Sequence, residues 1–184
     1  MSTKIYDGLR ITTGTQDIFA VRDAIADESE DMAQKETHRL GSNRTDLNVG
    51  DLWLLSWGPD ALALVVITRV FDDYVLGYPV TMPNYPSFSP AVVQNDNKLE
   101  VPLTIWTLAE TGLGKHLFSI NLGPLLSERT VDLLRRYAED GHESPLPIAE
   151  GDCRDGSNSE FLHELLAFMQ ELSFHEPPIN NENN

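Results

Sequence analysis

The stretch from Gly50 to Thr81, GDLWLLSWGPDALALVVITRVFDDYVLGYPVT, leaves the chain few ways to fold. DLWLLSW (51–57) is rich in apolar and aromatic residues, ALALVVITRV (61–70) is a longer apolar run, and YVLGYPVT (74–81) follows. Gly58-Pro59-Asp60 and Phe71-Asp72-Asp73 separate the three. Pro and Gly break strands and Asp favours turns, so both separators are turns. Parallel neighbours need crossovers of about a dozen residues, so strands joined this tightly run antiparallel. The length and apolar character of 61–70 place it at the centre of a sheet.

The flanking sequence divides into recognisable pieces. In TQDIFAVRDAIAD (15–27), Ile18, Val21 and Ile25 recur at helical spacing, with Thr15 or Asp17 as the cap. The following residues 28–48 are polar and turn-rich, and their later part reads as a linker. MPNYPSFSPAVVQNDN (82–97) holds Pro83, Pro86 and Pro90 with Tyr85 and Phe88. Its prolines exclude a central strand, so a long loop is expected, and loops of that length are often functional. LEVPLTIWT (99–107) reads as a strand whose Pro102 marks an edge or a bulge, and KHLFSINLGPLL (115–126) as a strand running into a turn. Ser127 then caps a helix, with Val131, Leu134 and Tyr137 on its inner face. After a loop with Pro145 and Pro147, a last helix is expected over 160–174, capped by Asn158 or Ser159. Its stripe is Phe161, Leu165, Phe168 and Leu172, widened by Leu162, Leu166 and Met169. The tail HEPPINNENN is expected to lack order. The organisation implied is an N-terminal helix and linker (1–47), a strand-rich unit with its helix (48–138) and a C-terminal extension (139–184). The fold class is α+β with a mainly β core and flanking helices.

Charge separates these segments further. The net charge is −16, and residues 139–184 contribute 11 acidic groups against one basic group. Phosphate backbones are bound mainly through Lys and Arg, so the chain as a whole should repel nucleic acid. No run of about 18 apolar residues is present, so no membrane span is expected. The opening MSTKIYDGLRITTG lacks the basic-then-apolar order of a secretory leader. Cys153 is a single cysteine and has no disulfide partner in the chain. Together these lead to the expectation of a cytoplasmic protein.

Motifs for common chemistries are incomplete. His38, His116, His142, His163 and His175 are scattered, and there is no CxxC, so neither metal nor cofactor is expected. GLGKH (112–116) falls short of a phosphate loop, because position 109 is Ala and His116 follows the Lys. A hairpin turn accounts for its glycines. Cys153 has Asp152 and Asp155 nearby, which disfavour a thiolate. Trp53, Trp57 and Trp106 all fall in expected strands and read as core, with Trp57 at a strand end beside a turn.

The order VGDLWLL, ALALVVITRV, YPVT, followed by LTIWTLAETGLGKHLFSINLGPLLSERTVDLLRRY, resembles the MazF/PemK family of toxins. The likeness covers about residues 49–138 and implies a small SH3-like antiparallel barrel related to the CcdB gyrase poison. Family nucleases use an Arg just before the second strand and a Thr after the third, cleaving RNA through its own 2′-hydroxyl. An Arg suits that reaction because its planar, permanently charged donors match a phosphate gaining negative charge. Thr81 falls on the Thr position. The Arg position falls near Ala61, in GPDALAL, which holds no base, and the nearest cation is Arg69 at the far end of that strand.

The expectation is therefore a catalytically degenerate barrel that binds a protein, with Tyr85, Phe88, Phe161, Leu165, Phe168 and Leu172 as candidate partner-binding residues and a homodimer as the family's usual assembly. The apolar stripe of the last helix must be buried, either on the barrel or on a partner. Two alternatives stay open: a toxin-like endoribonuclease using Thr81 with Arg69, and an acidic mimic of nucleic acid.

Overall fold

The computed structural model describes residues 47–174, apart from positions 58, 59, 84 and 98. The helix expected over 15–27, the linker and the tail lie outside the described residues. Among those described, seven strands and two α-helices form a mixed α+β unit. The strands are β1 (Asp51–Trp57), β2 (Asp60–Val70), β3 (Tyr74–Thr81), β4 (Val92–Gln94), β5 (Leu103–Ile105), β6 (Thr111–Gly114) and β7 (Phe118–Pro124). The helices are α1 (Glu128–Asp140) and α2 (Gly156–Ser173).

Every ladder is antiparallel, as the short turns require. The order is β4-β5-β3-β2-β1-β7, and β6 pairs with β3 beside β5. β5 and β6 share one edge of β3, at Val80–Thr81 and Tyr74–Gly77 respectively, with the 3-10 turn Thr107–Ala109 between them. β2 is buried without a break from Leu62 to Thr68, as the central strand between β1 and β3. Tyr78 points towards Arg135 and Glu139 of α1, while Thr81, of opposite parity on β3, meets the Trp106 that packs on α2.

Register shifts interrupt the β1–β2, β2–β3 and β1–β7 ladders. Each such bulge bends and twists its strand, and together they curl the sheet. Its two ends approach one another, where the Gln94 amide of β4 donates to the Leu125 carbonyl just past β7, at 3.2 Å. No β4–β7 ladder joins them, so the strand path stays open where a closed barrel was expected. The outer edge of β4 is taken instead by the C-terminal extension. Val93 N donates to Pro147 O and Ala149 N to Ala91 O, both at 2.8 Å, around a Val92–Ile148 bridge.

Several boundaries differ from the sequence reading. β4 lies inside the expected long loop, and TGLG forms β6 rather than a hairpin turn. The strand expected over 99–107 shrinks to β5, and Lys115–Leu117 is a 3-10 turn before β7. The cap of α2 is Asp155, whose carboxylate accepts from Ser157 N at 3.2 Å, while the Asn158 side chain donates to Asp152 O. α1 follows its pattern: Ser127 caps it, Val131 and Leu134 are fully buried, and the Tyr137 hydroxyl donates to Pro90 O at 3.1 Å. Ala149 and the α2 stripe join the same hydrophobic core as the strands, so residues 139–174 complete the unit begun at 48.

Gly50 anchors the entry to the sheet. Its N–H donates to Ile67 O, and its carbonyl accepts from Leu125 N and Leu126 N. It sits at φ +88°, and a Cβ there would collide with the Leu126 carbonyl. Gly141, the C-cap of α1, has φ +67° with open space around it. Gly50→Ala should therefore cost more than about 2 kcal/mol, combining backbone strain with the clash. Gly141→Ala should cost only about 1 kcal/mol from strain alone. Urea denaturation midpoints of the two variants check the difference.

Candidate functional site

Thr81, on the Thr position of the resemblance, and Arg69, the cation nearest to its empty Arg position, do not meet. Thr81 ends β3, is 4% exposed, and accepts a hydrogen bond at 2.9 Å from the Trp106 indole N–H. Trp106 packs edge-on against Phe88 at 4.9 Å and against Phe161 at 5.4 Å. The hydroxyl of Thr81 thus satisfies a buried donor inside an aromatic cluster. Arg69 lies towards the other end of the same hairpin, paired with Leu76, while Thr81 follows the Val80 that pairs with Leu64. Five residues of strand separate the two positions by about 17 Å. One phosphate cannot touch both.

The six candidate partner-binding residues are also relocated. Tyr85, Phe88, Phe161, Leu165, Phe168 and Leu172 are all buried within the chain. α2 lies on β6 and on the 3-10 turn Thr107–Ala109, and Phe161 packs 6.4 Å from Tyr85 across the loop after β3. The stripe finds its cover in its own chain, and each fully buried side chain contributes about 1.5–3 kcal/mol to holding the helix there. On the outer side, Leu166 and Phe174 remain exposed.

A polar cluster sits between the sheet and α1. Thr68, the extra residue of the β2 bulge, donates to Glu110 at 2.5 Å. Arg135 of α1 lies 3.5 Å from the other Glu110 oxygen and 3.6 Å from Glu139. Tyr78 lies beside them. Burial first, and the Glu110 carboxylate second, push its hydroxyl well above the ordinary value of 10.0, with Arg135 opposing. Tyr78 is therefore neutral across the physiological range, and both Glu110 oxygens already have partners. The cluster braces α1 on the sheet, and the Thr68 hydroxyl that meets the Glu110 carboxylate is itself buried.

Other sequence candidates resolve simply. Among the described residues, no cluster of three or more His, Cys, Asp or Glu side chains is placed to hold a metal. The glycines of GLGKH belong to a strand, so their amides do not form a phosphate cradle. Cys153 is exposed in a turn, and Trp53 is buried edge-on against Phe118. A groove between Leu52, Leu99 and Leu122 has room for about one water molecule. Among the described residues, no helix is long and apolar enough to cross a membrane.

The β2–β3 turn carries an aromatic pair at the surface. Phe71 and Tyr74 stack at 4.6 Å with their planes 15° apart. The Arg69 guanidinium lies over Phe71, 6.0 Å from the ring centre. Tyr74 is 41% exposed, and Asp72 and Asp73 between the rings are exposed. Sequence reasoning saw this stretch only as a turn. Its signal was two aromatics flanking two acids, where a tight turn needs neither ring.

Two measurements test these assignments. Thr81→Val keeps the shape but leaves the Trp106 N–H buried without an acceptor, which should cost about 1–3 kcal/mol in urea denaturation. Adding Trp106→Phe should then cost less than it does alone, because the stranded donor is gone. Tyr78 gives a pH signature. Its folded pKa lies above the unfolded one, so its contribution to stability is full below pH 10 and declines as pH rises above it. The loss approaches about 1.4 kcal/mol per pH unit. Midpoints measured from pH 9 to 11 should fall more steeply for the native sequence than for Tyr78→Phe.

No protein-family model and no curated protein sequence matches the chain.

Proposed function

We propose that this chain is a cytoplasmic, catalytically degenerate barrel of the MazF/PemK shape that works by binding a protein, as a homodimer. The observation that carries this reading is the separation of Arg69 from Thr81, with the Thr81 hydroxyl committed to Trp106. Residues 58–62 add no base to the position where the resemblance calls for an arginine. Without a cation at the reacting phosphate, most transition-state stabilisation is unmade. The net charge of −16 further disfavours RNA as a substrate. In this reading the curled sheet is an open relative of the SH3-like barrel, its two ends bridged by the Gln94–Leu125 hydrogen bond.

The test is incubation of labelled single-stranded RNA with the full-length protein. α2 completes the core, so truncation before it would expose apolar surface rather than isolate a barrel. Full-length protein should leave the RNA intact, with no difference from Thr81→Ala or Arg69→Ala. Cleavage that disappears in either variant would replace this reading with that of a nuclease. Sedimentation equilibrium reports the dimer.

A further inference from the structure

The row Arg69, Phe71, Tyr74 ends in a slot on β6. Tyr74 pairs with Gly114, and Leu76 with both Arg69 and Gly112, so all five positions share one face of the sheet. The two glycines put no side chain beside the Tyr74 ring. The atoms nearest to a Cβ at Gly112 would be those of Tyr74 and Leu76, at 3.6 and 3.8 Å, which is ordinary contact. The imidazole of His116 folds over Gly114. The slot thus has a glycine floor, Tyr74 and Leu76 as walls and an imidazole at its end. Asp72 and Asp73 stand at its turn end.

We propose that this slot receives an arginine side chain presented by a basic segment of a partner protein. The inference rests on the protein-binding reading above and specifies the partner's chemistry. A guanidinium is the group that matches the surroundings. The aromatic pair already holds one, since Arg69 lies over Phe71, so a second on the Tyr74 side extends the same row. The two exposed aspartates supply opposite charge at that end of the hairpin. The excess of negative charge on the whole chain draws basic partners towards it and repels phosphate backbones. A nucleobase would also stack on Tyr74, but its phosphates would meet Asp72 and Asp73.

Fluorescence anisotropy with a labelled peptide alternating Arg and Ser, its Lys counterpart and a single-stranded RNA of equal length tests the idea at physiological salt. The Arg peptide should bind more tightly than the Lys peptide, and RNA should not compete. Tyr74→Ala and Gly112→Val should each weaken the Arg peptide about 5–10-fold. Gly112→Val suits a strand, and its Cβ enters the slot at ordinary contact distance from Tyr74 and Leu76. Asp72→Asn with Asp73→Asn should weaken both peptides. Glu128→Gln with Asp132→Asn removes the same charge from α1 and should leave binding unchanged. Equal losses from the two charge-removing pairs would mean bulk attraction alone and would overturn the slot. So would indifference to Tyr74→Ala and Gly112→Val in variants with native circular dichroism, no binding of the Arg peptide, or preference for RNA. Failure here without RNA cleavage removes the slot alone; RNA cleavage removes the wider reading.

Discussion

The indole of Trp106 joins parts of the chain that lie far apart in sequence. Its N–H is held by Thr81 at the end of β3, its ring by Phe88 from the following loop, and its other contact is Phe161 at the start of α2. A ring this large, with one donor that must be satisfied, fixes both the depth and the angle at which these pieces meet. The loop is held down, α2 is seated on β6, and the hydroxyl at the end of β3 is taken out of circulation. The same contact that completes the core therefore holds the Thr81 oxygen as the acceptor of a buried indole.

Much of the architecture was legible because it is set by local rules. The apolar runs in 51–81 and the two short turns between them impose an antiparallel three-strand unit, and Ser127 with Val131 and Leu134 specifies α1. What escaped was set by tertiary pairing. β4 is three residues among prolines and β6 carries two glycines, so neither has strand propensity of its own. Both form because β3 and β5 offer free backbone groups opposite them. The α2 stripe was visible, but no periodicity says whether its cover lies in the same chain. The rings at the β2–β3 turn were plain in the sequence, yet nothing local revealed that glycines on β6 lie beside them.

The electrostatic division of the molecule follows the same lines. Acidic side chains crowd the outer surface of the C-terminal extension, while its apolar side chains close the core. The cations near the sheet are engaged, Arg135 with Glu110 and Glu139, and Arg69 with Phe71. Such a surface repels polyanions at long range. It leaves recognition to short-range features such as stacked rings, whose attraction survives salt better than net charge does.

The extension that caps β4 and seats α2 also governs when the fold can be completed during synthesis. Strands β1 to β7 leave the ribosome first, but the backbone edge of β4 and the apolar face of β6 stay bare until residues 147–172 follow. Chains grow at roughly 5–20 residues per second, so that interval lasts seconds. Every nascent copy passes through a stage with an open strand edge beside unsealed apolar surface. A ribosome stalled before residue 172 would release a chain committed to that stage, a target for chaperones and proteases rather than a shortened working protein.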